Sequence, residues 1–410
     1  MDITHRPIYF GRDIPLFLTA QVLARVAMLV ESVCVGWQVY DLTRSALALG
    51  IVGLVEFVPM FLLVLPAGEI ADRFDQRRIL ALSRLTEAVA SGLLLTFVLT
   101  HQRSVWPLFG IILLFGSARG FSGPSGRSLL PFLVPPERLS KAIAWNSSIS
   151  QLAIIGGPAL GGFAYALGPA FAYAGCLVTF LLVAFGLTLL GGRRVAPDTA
   201  ALASRIARVR EGIQFVRSRP IVLGAISLDL FAVLLGGAVA LLPIYARDIL
   251  HVGPSGLGVL RSAPAFGAAL VALHLTRRPV ERRVGFTMFS TVAVFGIATI
   301  VFGLSRNFGL SLAALAVCGA ADQISVYIRA ALVQFATPDA MRGRVSAVST
   351  LFISASNELG GFESGVTAAL FGTVPAVVLG GIGTLVVVAI WMWAFPPLRT
   401  VDRMREVEPA

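Results

Sequence analysis

Twelve apolar runs, each long enough to cross a bilayer, decide the fold before any single residue is considered. Read between charged or Pro/Gly breaks, they cover 14–41, 45–67, 78–100, 105–132, 142–167, 170–191, 221–250, 255–276, 285–304, 308–335, 345–372 and 374–395. A spanning helix takes about 20 residues. The hydrocarbon core holds no water to satisfy backbone groups, so each run is expected to be helical. The 410 residues are 56% hydrophobic and 13% charged, against about 25% charged in an ordinary soluble domain. A water-soluble, fibrous or nucleic-acid-binding chain is excluded on that ground. The first run begins near Ile14, lacks a small-residue cleavage site and outlasts a signal-peptide core, so it is expected to remain as a span. Cys34, Cys176 and Cys318 lie far apart inside apolar runs, which gives neither a disulfide framework nor a metal spacing.

A net charge of +11 in such a chain becomes a topology once its location is read. Loops on the side of the termini hold 23 of the 33 basic residues, and the opposite loops hold only Arg44, Arg103, Arg247 and Arg306. The remaining six, Arg25, Arg84, Arg119, Arg127, Arg261 and Arg329, fall within spans. The positive-inside rule then puts both termini in the cytoplasm, and the expected location is the plasma membrane. The longest polar segment, 192–220, carries seven arginines and divides six spans from six. The expected organisation is an N-terminal six-helix bundle over 1–191, a cytoplasmic linker over 192–220, and a C-terminal six-helix bundle with a tail over 221–410. The linker reads as a solvated basic segment, with a short amphipathic helix through Ile206, Val209, Ile213 and Phe215 as the alternative.

The two halves repeat one another. A shift of 205 residues lays Gly53 on Gly258, Pro59 on Pro264, Tyr40 on Tyr245 and Arg77-Arg78 on Arg282-Arg283. A shift of 202 lays Arg127 on Arg329, Pro136 on Pro338 and Glu137 on Asp339. Parallel six-span repeats are a transporter architecture with the substrate held near the midplane.

Local motifs point the same way. After the second run comes Gly68-Glu69-Ile70-Ala71-Asp72-Arg73-Phe74-Asp75-Gln76-Arg77-Arg78. It resembles the loop between spans 2 and 3 of the major facilitator superfamily in Gly68, Asp72, Arg73 and Arg77, and departs from it at Asp75 and Gln76. The resemblance implies a latch in which Asp72 meets the cytoplasmic start of span 11, near Arg342 to Ser346; Arg127 and Arg329, in the cytoplasmic third of their spans, are expected to serve it as gating arginines. Helix N-termini suit a carboxylate. In span 5, Gly157-Pro158-Ala159-Leu160-Gly161-Gly162 resembles the antiporter motif of the same superfamily, with Ala153 where the family has glycine, and implies export rather than import. Small residues admit close helix contact, and a proline bends its helix by removing a backbone bond. Arg119 with Gly123 resembles the family's span 4 pattern. Tyr40-Asp41-Leu42-Thr43-Arg44 and the Pro-Pro-Glu and Pro-Asp hinges opening spans 5 and 11 resemble the siderophore-export and multidrug-efflux branch. The fold class implied is an all-α membrane protein of 12 transmembrane helices in two pseudo-symmetric bundles.

Charges inside spans are expensive and mark function by default. Glu56, Asp322 and Glu358 lie near mid-membrane and lead as proton carriers, with Glu31 and Asp229 next. Arg119, Arg25, Asn357, Gln151 and Asn146 are candidates for the substrate cavity, and Arg261 is a candidate cation for Glu56. Arg84 and Arg127 suit gating pairs or snorkelling, and Trp37 and Tyr40 an interfacial belt. His5, His101, His251 and His274 are scattered, and no phosphate-binding glycine loop is present, so neither hydrolysis nor ATP drive is expected. The expected activity is proton-coupled export of amphiphilic small molecules, drug-like or siderophore, by a monomer without metal or cofactor, in contact with lipid and not with nucleic acid. A facilitator, a proton symporter or metal exporter of the same fold, and a non-transporting sensor are the alternatives.

Overall fold

The computed structural model describes residues 13–134, 136–190 and 202–404. The described residues are helical throughout their ordered elements, with no strand among them. In chain order the helices are α1 (Asp13–Thr43), α2 (Ala46–Arg73), α3 (Gln76–Leu99), α4 (Trp106–Leu133), α5 (Pro136–Leu167), α6 (Pro169–Thr188), α7 (Leu202–Ser218), α8 (Pro220–Leu235), α9 (Gly253–Arg277), α10 (Val284–Leu304), α11 (Phe308–Phe335), α12 (Asp339–Phe371), α13 (Thr373–Ala394) and the short α14 (Pro396–Thr400). Among the described residues ten helical segments are long and apolar enough to cross a membrane. The other two expected spans correspond to α4 and α12, of 28 and 33 residues. Trp393 is 82% exposed, and Leu62, Phe185 and Leu370 also stand on outer faces. Lipid, not water, is the solvent for such a surface.

Two compact units result, Met1–Val35 with Val55–Leu202 and Gly36–Leu54 with Ala203–Ala410. Within the first, α3 packs on α6 and α4, and α5 packs on α6. Within the second, α10 packs on α13 and α11, and α12 packs on α13. These are the same three pairings counted from the start of each half, so the sequence repeat is a repeat of packing. Glycine makes the closest contacts. A Cβ on Gly120 of α4 would lie 3.2 Å from Leu63 Cβ of α2, and one on Gly319 of α11 would collide with the Pro264 carbonyl of α9.

Three features depart from the sequence expectation. The seventh span is not one helix: α8 stops at Gly236, a 3-10 turn runs over Ala238–Leu241, and a π-helical turn occupies Tyr245–Ile249. A Gly-Gly pair followed by Pro243, which lacks an N–H, accounts for the interruption. The linker helix α7 is not a freely solvated basic strip. Val216 is buried in the core of the second unit, with Val209, Ile213 and Phe215 packed against that core, and Glu211 pairs with Arg344 of α12 at 2.6 Å. The tail beyond α13 also docks. The carbonyls of Val401 and Asp402 accept from the backbone N–H groups of Gly285 and Val284, and the Asp402 carboxylate accepts from Arg283 N. They satisfy the first donors of α10, which no intrahelical carbonyl can reach.

Candidate functional site

In the first unit, polar groups collect where α1, α3, α2 and α4 carry their in-span charges. Glu31 of α1 is 3% exposed, and Ser91 Oγ of α3 lies 2.8 Å from its Oε2. One turn towards the start of α3, the fully buried Glu87 takes the Arg84 guanidinium at 2.6 Å. Glu87 Oε1 and Arg84 Nε have no partner among the described residues. Arg84, Glu87 and Ser91 are spaced i, i+3, i+7 and therefore share one face of α3. Glu56 of α2 pairs with Arg119 of α4. The cation seen on Glu56 is Arg119, from the neighbouring α4, and α2 and α4 are joined by glycine contacts inside one unit. A Cβ on Gly116 would strike the Glu56 carbonyl.

The antiporter-like glycines face the same α1 turn. A Cβ on Gly157 would lie 2.8 Å from Leu29 Cβ, and one on Gly161 would lie 2.9 Å from Val30 Cα. Pro158 and Gly162 are buried beside them. The bare face of α5 therefore lies directly on the α1 backbone, two residues or fewer from Glu31.

In the second unit, Asp229 of α8 and Arg329 of α11 form an ion pair in which both side chains are almost wholly buried. Asp322 and Ser325 share Arg329's face of α11, again at i, i+3, i+7. Together with Asp229, Ala232, Val233 and Phe295 they line a small cavity. Ser325 Oγ is buried there without a hydrogen-bond partner among the described residues. The cavity is thus lined by two carboxylates, of which one is already neutralised by an arginine.

Other expected residues fall elsewhere. Glu358 Oε2 lies against Gly53, 3.2 Å from where a Cβ would stand. Asn357 is exposed and donates to the Ile353 carbonyl of its own helix. Arg25 is exposed on α1, and Asn146 and Gln151 are half-buried on α5. Tyr40 does more than anchor a span end. Its hydroxyl donates to Asp248, while Arg247 pairs with Asp41 and lies 5.6 Å from the Trp37 ring centroid.

The latch region is built differently from the motif's reading as a loop. α2 runs on through Gly68 to Arg73, and the connection shrinks to Phe74-Asp75. Asp75, where the resemblance breaks, is the N-cap of α3. It accepts from Arg77 N at 3.0 Å and from the Arg77 guanidinium at 2.9 Å, and Arg77 also donates to the Leu190 carbonyl. Burial pushes the Asp75 carboxyl up, but the hydrogen bonds and charge of Arg77 outweigh it and hold the group below the usual carboxylate range. Arg329, expected in the latch, is committed to Asp229. The side chains of Asp72, Arg73 and Arg127 lie outside the described residues. Among the described residues no group of three or more His, Cys, Asp or Glu is placed to hold a metal ion.

Ser91 and Ser325 were not legible as site residues, although each completes an i, i+3, i+7 stripe with an acid and an arginine on its own helix. That stripe is the signal that would have found them.

Residues 14–408 match the family described as transmembrane secretion effector. The chain is a member of that family, within the major facilitator superfamily. Its similarity to the enterobactin exporter EntS of Citrobacter koseri is 27% identity over 401 residues, covering 95% of this chain and 92% of that protein. The fold of this secretion-effector member is also that of solved transporters. A bacterial homologue of the human lysosomal transporter Spinster, in an inward-facing and occupied conformation, superposes with a TM-score of 0.73 at 14% identity, over 95% of this chain and 97% of that one. The nucleoside transporter NupG gives 0.68 at 14% identity, over 94% of this chain and 99% of that one. These two likenesses carry the fold alone. The chain is a multi-span membrane transporter and not an enzyme.

Proposed function

We propose that this transporter exports amphiphilic small molecules, siderophore-like or drug-like, by alternating access coupled to inward proton movement. The carrying observation is Asp322, which faces the small cavity beside the neutral Asp229–Arg329 pair. A carboxylate in that setting holds one proton or one cationic group at a time, and that exclusivity is what antiport requires. The membrane potential alone supplies about 2.3 kcal/mol per proton per 100 mV. Full-length similarity to proteins named enterobactin exporters supports the export direction and the siderophore class. In this reading the chain works as a monomer of two six-span halves, with 192–220 as the cytoplasmic connection. Both termini are cytoplasmic, and the membrane is the bacterial plasma membrane. Asp72, Arg73, Arg77 and Arg127 serve the conformational latch.

The test uses everted vesicles with an acidified lumen. Adding a transported siderophore or dye should discharge the pH gradient, and Asp322→Asn should abolish that response. Undiminished discharge in Asp322→Asn, Glu56→Gln and Glu358→Gln alike would remove the coupling assignment.

A further inference from the structure

We infer that Glu31 and Ser91 form a second, separate proton-binding site, built into the contact between α1 and α3 and braced by the glycine face of α5. Hydrogen-bond donors are short here. The Ser91 hydroxyl owns one hydrogen but has two acceptors within reach, Glu31 Oε2 at 2.8 Å and the Glu87 carbonyl at 3.1 Å. If Glu31 is ionised, Ser91 must turn to it, and a carboxylate with 3% exposure is left with a single neutral donor. Burying a charge so poorly supported costs several kcal/mol. If Glu31 carries a proton, its O–H donates to Ser91 Oγ, Ser91 donates to the Glu87 carbonyl, and every group in the chain is used once.

Among the described residues Glu31 has no ion pair, and its one hydrogen bond is to Ser91. The titratable groups that interact electrostatically with Glu31 are Glu87 of α3 and Glu56 of α2, Cys34 of its own helix, and Tyr173 and Cys176 of α6. The arginines of this region are committed elsewhere, Arg84 to Glu87 and Arg119 to Glu56. Releasing the proton to water breaks the Glu31 O–H bond and leaves a negative charge among two other carboxylates. Ser91 then turns its hydrogen from the Glu87 carbonyl to Glu31, so the hydrogen bonding between α1 and α3 is rearranged. α5 reports that change, because Gly157 and Gly161 rest on Leu29 and Val30 beside it. The antiporter-like glycines therefore do more than fill space, since they bring a third helix against the turn whose protonation changes.

The purpose of the site rests on the proton-coupled reading, but its chemistry does not. It is tested without any transported substrate, by infrared difference spectroscopy of the full-length protein in lipid discs across neutral to alkaline pH. The expected result is a protonated-carboxyl C=O band at neutral pH that is lost in Glu31→Gln. In Ser91→Ala the band should persist but shift, because the acid's O–H loses its acceptor. A band unchanged by Glu31→Gln, or the absence of any band that Glu31→Gln alters, overturns the proposal. Glu31→Gln keeps the donor that a protonated acid would offer Ser91, so its unfolding midpoint should equal the wild type's at neutral pH; a large loss there also overturns the proposal. A failure of vesicle discharge in the wild type would instead strike the exporter reading and leave this site standing.

Discussion

The first and seventh spans occupy the same place in the two halves, and each carries a buried carboxylate well inside its helix, Glu31 and Asp229, with different partners. Asp229 has an arginine from α11. Glu31 has a serine from α3. The surrounding packing repeats almost helix for helix, with α3 on α6 and α4 in one unit and α10 on α13 and α11 in the other. Packing has therefore been kept while the charge pattern has diverged, and the divergence separates a fixed pair from a group that can exchange its proton. Asp322 lines a cavity with Asp229 of that pair, and in the proposed mechanism it is the exchangeable acid of the second unit.

Arg329→Ala is the most severe way to break this comparison. It strands Asp229 in a buried position and should cost about 3–5 kcal/mol in detergent unfolding. A loss under about 1 kcal/mol, the range of a solvated pair, would mean the two halves are not distinct. Gly161→Val probes the other unit. Its Cβ position already lies 2.9 Å from Val30 Cα, so overpacking should cost about 1–3 kcal/mol. The same assay should show almost no change for Gly156→Ala, where a Cβ meets nothing within 4 Å. Asp75→Ala removes the α3 cap and should cost about 1 kcal/mol. Because its carboxyl is held low in the fold, the Asp75 contribution is present above the ordinary carboxylate range and is lost as pH falls through the folded value. The difference between wild type and Asp75→Ala should therefore vanish in acid, and a difference that grows in acid would contradict the cap.

Much of the architecture could be read before any coordinates. The apolar runs announced the spans, and the Arg77-Arg78 and Arg282-Arg283 doublets announced the repeat. Each doublet lies at the start of a half's third span and ties it to the segment that follows the sixth, through the Leu190 carbonyl after α6 in one case and Asp402 of the tail beyond α14 in the other. What could not be read was pairing. For Glu56 the sequence suggested Arg261, and it is the α2–α4 contact that brings Arg119 to it. Arg329 resembled a gating residue by depth, but the position of Asp229 on α8 claims it. The break in the seventh span was marked by Gly236, Gly237 and Pro243, yet a continuous apolar run concealed it, since hydropathy does not register a missing N–H. Asp75 departed from the family pattern and so looked like a loss; its side chain supplies the helix cap instead.

One buried carboxylate is neutralised by an arginine and its counterpart by a proton, and that contrast can be measured directly. The measurement is the unfolding midpoint of Asp229→Asn and Glu31→Gln at neutral pH in the same detergent. Asp229→Asn leaves Arg329 charged and unpaired, so its midpoint should fall steeply. Glu31→Gln replaces a neutral acid by a neutral amide, so its midpoint should match the wild type. Equal losses in the two variants, or the larger loss in Glu31→Gln, would contradict the account.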